Sequence, residues 1–66
     1  MIFLTKLNDV EFVLNPDLIE TITENPDTTI KLTNGTTYIV REPIDTVINL
    51  IVKFRKKVFS DIISPR

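Results

Sequence analysis

Apolar and polar residues alternate along the first two-thirds of the chain, in short runs rich in Val, Ile, Thr, Phe and Tyr. Such runs are typical of β-strands that expose one face and bury the other. Residues that favour turns (Asn, Asp, Pro and Gly) separate the runs. The pattern predicts five strands, at Ile2–Leu7, Val10–Leu14, Leu18–Glu24, Thr28–Thr33 and Thr36–Arg41.

The four predicted turns differ in their chemistry. Asn8-Asp9 and Asn34-Gly35 each suit the two central positions of a tight hairpin, because these residue types tolerate positive φ, and Asn34-Gly35 predicts a type I′ turn. Pro16-Asp17 predicts a corner, since proline cannot donate to a sheet ladder. Pro26-Asp27 suits the middle of a type I turn.

Apolar residues spaced by two define the predicted inward faces. They are Ile2, Leu4, Val10, Phe12, Leu14, Ile30, Leu32, Tyr38 and Val40. In the third strand Leu18 and Ile22 share one face, whereas Ile19 lies on the other. Further apolar residues fall on the nominal outer face, and they are Phe3, Leu7, Val13, Ile19 and Ile39. Apolar residues on both faces indicate a central strand or a contact with a second subunit.

The apolar period changes after Glu42-Pro43. Proline favours the first position of a helix, and Asp45 complements the positive end of the helix dipole. Helical spacing then continues through Ile44, Val47, Ile48, Ile51, Phe54, Val58 and Ile62. The predicted fold is one mainly β domain over residues 1–66: a five-stranded antiparallel meander or partial barrel in residues 1–42, a C-terminal α-helix in residues 43–63, and a frayed tail, 64–66.

The predicted helix carries more apolar surface than one sheet face covers. Its apolar arc spans roughly 220°, whereas packing on one side of a core needs little more than ~100°. Three explanations stay open: half-exposed side chains, self-association as a homo-oligomer, or docking on a partner or membrane surface. The residues predicted to make such a contact are Leu50, Val52, Phe54 and Phe59, with a charged rim of Lys53, Lys56 and Lys57.

Composition argues against most chemistry. The 66 residues include no Cys and no His, which excludes disulfides, a thiol nucleophile, an imidazole base and Cys/His zinc sites. A single glycine excludes a Gly-rich phosphate loop. Glu20, Glu24 and Asp27 are the candidate acid–base carboxylates, but none has an orienting partner in the pattern. The sequence therefore predicts no enzyme, no metal and no cofactor.

Charge is unevenly distributed although the net charge is only −1. Residues 1–27 hold one lysine against six acidic residues, whereas residues 28–66 hold seven cations against three acidic residues. Such a layout favours steering of a charged partner or alignment of subunits, and without a basic excess nucleic acid is not the expected partner. The pattern shows no secretory signal and no membrane span, so the expected location is the cytoplasm.

Short motifs follow one another along residues 1–55 in a distinctive order. They are Leu4-Thr5-Lys6-Leu7-Asn8, Glu11-Phe12, Leu14–Ile22, Pro26-Asp27-Thr28, Ile30–Gly35, Tyr38-Ile39-Val40 and Glu42. This series resembles the FlbD family of small bacterial flagellar proteins, also called SwrD. Many members have glycine where this chain has Asp9, which leaves the first turn type open, and residues 58–66 follow no pattern of the family.

The resemblance implies a cytoplasmic, non-enzymatic accessory protein of flagellar motility, associated with swarming and motor power. It implies flagellar motor or stator proteins as partners, at the inner face of the membrane, and it implies no cofactor and no catalytic residues. Two other functions stay open. One is an RNA-binding regulator similar to the carbon-storage regulator CsrA, which is also tiny, five-stranded and ends in a helix. The other is a helix module that associates with a membrane surface.

Overall fold

Five antiparallel strands and one C-terminal helix make up the chain. The computed structural model describes the backbone of residues 1–63 and the side chains of residues 1–60. The elements are β1 (Ile2–Thr5), β2 (Glu11–Leu14), β3 (Ile19–Glu24), β4 (Thr28–Leu32), β5 (Thr37–Val40) and α1 (Ile44–Ile63). The predicted fold class is confirmed, and each strand is one or two residues shorter than predicted. The predicted fraying of residues 64–66 lies outside the described residues.

The strands form two sheets, one of β1 and β2 and one in the order β3-β4-β5. A bridge between Lys6 and Val40, and a hydrogen bond from the Arg41 N–H to the Thr5 carbonyl (2.8 Å), join β1 to β5. Between β2 and β3 the chain makes a 3-10 turn at Pro16–Leu18, where Pro16 interrupts the ladder as predicted. The described strands are therefore a partial barrel in two sheets rather than a closed barrel.

An aromatic pair connects the two sheets on the core side. The rings of Phe12 in β2 and Tyr38 in β5 lie 4.8 Å apart between centroids. The Lys6 ammonium lies 5.5 Å from the Phe12 centroid and 5.6 Å from that of Tyr38, close enough for a cation–π attraction to both rings. These contacts hold the sheets together where few backbone hydrogen bonds run between them.

The core lies between the two sheets and the first turns of α1. Its buried apolar residues are Ile2, Leu4, Leu14, Ile30, Leu32, Val40 and Val47. Phe12 and Tyr38 pack partly buried around them, so eight of the nine predicted inward residues face the core. Val10 is the exception: it is 50% exposed, because it precedes β2 and lies at the end of the hairpin, beside the loop.

A register shift in β3 corrects the prediction for Ile19. Ile19 lies opposite Leu32, whereas Thr21 lies opposite Lys31, so one extra residue of β3 lies between them. The shift brings Ile19 onto the core side with Ile22, and it was wrongly assigned to the outer face. The other residues assigned to that face are indeed exposed, and they are Phe3, Leu7, Val13 and Ile39.

The hairpin loops at Asn8-Asp9 and Asn34-Gly35 are each one residue longer than predicted. The Lys6 N–H donates to the Val10 carbonyl (2.9 Å) and the Asp9 N–H donates to the Lys6 carbonyl (2.9 Å), so the loop is Leu7-Asn8-Asp9. Asp9 has a φ of 69°. This is a type I turn followed by one left-handed residue, a common three-residue hairpin loop. The predicted two-residue turn at Asn8-Asp9 is wrong.

The second loop repeats this geometry. The Leu32 N–H donates to the Thr36 carbonyl (2.8 Å), and the Gly35 N–H donates to the Leu32 carbonyl (3.0 Å). The loop is Thr33-Asn34-Gly35, with a φ of 92° at Gly35. The predicted type I′ turn is therefore wrong as well, although glycine takes the left-handed position for the expected reason.

Strand register explains both errors. Residues directly opposite each other in an antiparallel pair face the same side, and the structure pairs Ile2 with Leu14 and Ile30 with Tyr38. Such pairs of inward residues require a loop with an odd number of residues. A two-residue loop would bring Leu4 opposite the exposed Val13, so burial of the core face outweighs the preference for the tighter turn.

Replacing Gly35 by alanine is expected to lower the free energy of unfolding by about 1 kcal/mol. An added Cβ would meet no atom within 4 Å, so the cost comes from the left-handed backbone alone. Urea denaturation followed by circular dichroism measures the change. The control is Thr33→Ala, at an exposed position of the same loop without positive φ, with an expected change within ~0.5 kcal/mol. Equal losses in the two variants would contradict the argument.

Candidate contact surface on the C-terminal helix

Hydrogen bonds at Glu42 fix the start of α1 to two strands. The Glu42 carboxylate accepts from the Thr5 N–H (3.0 Å) and from the Thr5 hydroxyl (2.8 Å). The Thr28 hydroxyl, which is buried, donates to the Glu42 carbonyl (2.7 Å). These bonds join the residue before Pro43 to β1 and β4, and so they determine the direction in which the helix leaves the sheets.

One face of α1 packs on the core. Val47 is fully buried, and Leu50, Ile51 and Phe54 lie partly buried against the core cluster. The structure therefore places two predicted contact residues, Leu50 and Phe54, on the face that the chain covers itself. They are only partly available to another molecule.

A second face of α1 is open and apolar. Ile48 is 45% exposed, Val52 is 44% exposed and Phe59 is 62% exposed. Val52 and Phe59 were predicted contact residues, whereas Ile48 was named only as one of the apolar residues at helical spacing. The exposure of Ile48 could have been predicted from its position on the helix. Ile48 lies about 100° around the helix from Val47, and it therefore points away from the core when Val47 is buried.

The three predicted rim lysines lie on the exposed surface of α1. Lys53, Lys56 and Lys57 are all exposed. Within residues 1–60, the ion pairs are Lys31 with Glu20, Arg41 with Asp9 and Arg55 with Asp17. None of these pairs involves a rim lysine.

The later part of α1 approaches the 3-10 turn. The Arg55 Nη1 lies 3.1 Å from the Asp17 Oδ1, and both side chains are more than half exposed. An open cleft of about 240 Å³ lies beside this ion pair, lined by Asp17, Phe54, Arg55, Val58 and Phe59. An exposed pair of this kind contributes little stability, on the order of 0–1 kcal/mol, but it sets the position of Arg55 beside the apolar groups. Sequence patterns did not indicate this pairing.

The described residues offer no alternative site with obvious chemistry. Within residues 1–60, no three Asp or Glu side chains converge as they would around a metal ion. Over the part of the chain that the structure describes, no helix combines the length and apolarity needed to span a bilayer. The open face of α1 is thus the strongest candidate for a functional surface.

One comparison with known proteins gives a match. The family model described as flagellar and swarming motility proteins, FlbD, matches residues 1–59. Searches of curated proteins and of solved structures find nothing that matches. The matched range runs from before β1 through most of α1, and it includes Ile48, Val52 and Phe59.

Proposed function

Because this chain belongs to the FlbD family of flagellar and swarming motility proteins, we propose that it serves motility as a non-enzymatic accessory protein acting through protein–protein contact. A role in flagellar and swarming motility follows from the family. The proposal adds the manner of action: the protein supports motor power by binding flagellar motor or stator proteins. Its proposed location is the cytoplasm, at the inner face of the membrane where the motor lies.

The observation that carries this proposal is the open apolar face of α1. The sequence indicated more apolar surface in the last third of the chain than the rest could cover, and Ile48, Val52 and Phe59 are each more than two-fifths exposed. Exposed aromatic and aliphatic groups that adjoin charged side chains are typical of protein contacts. Self-association as a homo-oligomer is part of the proposal.

The RNA-binding alternative receives less support from the helix. Proteins that bind single strands alternate cations with exposed aromatic groups on which bases stack. Here Phe54, the aromatic residue within the basic segment, lies partly buried against the core. Phe54 therefore does not offer the lysines around it the stacking surface that such binding uses.

Swarming should depend on the open face. In a flagellated bacterium that lacks its own family gene, this chain is expected to restore swarming, and Val52→Glu/Phe59→Glu is expected to reduce swarm expansion to the level of the deletion strain. Two carboxylates on the apolar face would oppose burial at a contact, because each would lose its hydration there. Swarm expansion, tethered-cell torque and the amount of protein in the cell are measured together.

The matched control adds the same charge elsewhere on α1. Thr46→Glu/Ser60→Glu changes two exposed residues that lie about 80° or more around the helix from Val52 and Phe59, and it is expected to swarm like the parent. Both variants should fold, since all four positions are exposed. Normal swarming by Val52→Glu/Phe59→Glu at equal protein level would defeat the proposal.

A further inference from the structure

We infer that the open face of α1 binds a second copy of this chain, with the two helices antiparallel and the two-fold axis near Val52. The inference names one occupant of the surface on which the proposed function rests. It is carried by the arrangement of apolar and charged residues along this face.

Among the residues of α1 up to Ser60, whose side chains the structure describes, five form one stripe. They are Asp45, Ile48, Val52, Lys56 and Phe59, and all five are exposed. At 100° per residue they fall within about 80° of one another, centred roughly 140° from the buried Val47. The stripe therefore points away from the core and lies open to a second helix.

The spacing of the stripe is symmetric about Val52. Ile48 and Lys56 lie one turn before and after it, whereas Asp45 and Phe59 lie two turns before and after it. When two such helices pack antiparallel about Val52, the two Val52 side chains meet at the axis, and Ile48 of one helix lies opposite Lys56 of the other and within one turn of its Phe59. Each Ile48 would then pack between the aliphatic stem of Lys56 and the ring of Phe59 of the other copy.

Charge selects the antiparallel arrangement. About the same axis, Asp45 of one helix comes within one turn of Lys56 of the other, and the contact occurs twice by symmetry. Parallel helices would instead bring Asp45 beside Asp45 and Lys56 beside Lys56. Neither residue takes part in the ion pairs found within residues 1–60, and the antiparallel contact would join opposite charges across the axis.

The stripe predicts a weak dimer. Three apolar side chains and two ion pairs fall at the low end of protein interfaces, below ~1,200 Å² in total. We expect a monomer–dimer equilibrium with a Kd between about 10 μM and 1 mM. Sedimentation velocity across this range measures it, and added salt should weaken the dimer by screening the ion pairs.

Single cysteines test the geometry, and the chain has none of its own. With a bismaleimide spacer of about 8 Å, matched to the separation of packed helices, Val52→Cys is expected to cross-link to itself. When the Ile48→Cys and Phe59→Cys proteins are mixed, the cross-link between the two variants should be more abundant than the cross-link of either variant to itself. Ser60→Cys, exposed on another side of α1, is the control and should remain uncross-linked.

Exchanging the charges tests the direction of pairing. Asp45→Lys alone and Lys56→Asp alone are each expected to weaken the dimer about tenfold, because like charges then meet across the axis. Mixing the two variants should restore the parent affinity, since each contact again joins opposite charges. A merely structural effect of either substitution would persist in the mixture.

The inference would be overturned if the protein stayed monomeric at every concentration up to about 1 mM. It would also be overturned if Ile48→Cys and Phe59→Cys each cross-linked to themselves but not to each other. A mixture of Asp45→Lys and Lys56→Asp that dimerised no more tightly than either variant alone would overturn it as well. A monomer that sediments with vesicles containing anionic lipid would overturn it in favour of a membrane surface. A monomer whose Val52→Glu/Phe59→Glu variant loses swarming would leave the proposed function standing. A dimer broken by that variant without loss of swarming would defeat the proposed function instead.

Discussion

Replacing Leu4 by alanine is expected to lower the free energy of unfolding by about 2–5 kcal/mol. Leu4 is fully buried between the two sheets and α1, so truncation removes buried methyl groups and leaves a cavity. A chain of 66 residues has an expected stability of roughly 3–10 kcal/mol. The single truncation therefore removes a large share of that stability, and the sequence has no cysteine pair or histidine to supply a disulfide or zinc ligand in compensation.

The neighbouring residue provides the control. Phe3 is 64% exposed and points to the opposite face of β1, so Phe3→Ala is expected to change stability by no more than ~0.5 kcal/mol. Urea denaturation followed by circular dichroism, at protein concentrations well below the expected Kd, measures both variants as monomers. Similar losses for the two truncations would show that the assigned faces of β1 are wrong.

Replacing Glu42 by alanine is expected to lower the free energy of unfolding by about 1–3 kcal/mol. The change removes both acceptors for Thr5, whose N–H and hydroxyl bond the carboxylate at 3.0 Å and 2.8 Å. The site is partly buried, so water replaces these bonds poorly. Because Glu42 immediately precedes Pro43 and α1, the loss should also loosen the helix relative to β1.

A double-mutant cycle isolates this contact from other effects. Thr5→Val/Glu42→Ala should lose about 0.5–3 kcal/mol less than the sum of its two single variants, since both remove the hydrogen bond between the Thr5 hydroxyl and the carboxylate, whereas valine keeps the backbone N–H. The control is Glu24→Ala at the exposed end of β3, where a change within ~0.5 kcal/mol is expected. Strict additivity of Thr5→Val and Glu42→Ala would mean that the hydroxyl–carboxylate bond does not couple the two residues. Amide hydrogen exchange in the first turns of α1 then reports whether the helix loosens.

Much of the fold could be predicted because its signals are local. Alternation at a spacing of two identified the strands and eight inward residues, and the change to helical spacing after Pro43 identified α1. The same alternation also required loops with an odd number of residues, since Ile30 and Tyr38 can share a face only in that register. The two-residue turns were wrong because the turn preference of Asn34-Gly35 was judged apart from the strands it connects.

The contact surface was only partly predictable. The sequence indicated an excess of apolar surface on α1 and named Val52, Phe59 and the three lysines, all of which are exposed. It could not tell which part of the apolar arc the sheets would cover. Leu50 and Phe54 were therefore predicted as contact residues, although they pack partly on the core, and the exposed Ile48 was not among the predicted contact residues.

By itself the sequence determined which residues prefer strand, turn or helix and which of them are apolar, because these properties depend on the residue and its near neighbours. Only the tertiary structure decided how α1 lies on the sheets. That orientation depends on contacts between distant residues, such as Glu42 with Thr5, 37 positions apart, and Arg55 with Asp17. Such contacts leave no periodic trace in the chain, and they decide which side of the helix remains open to a partner.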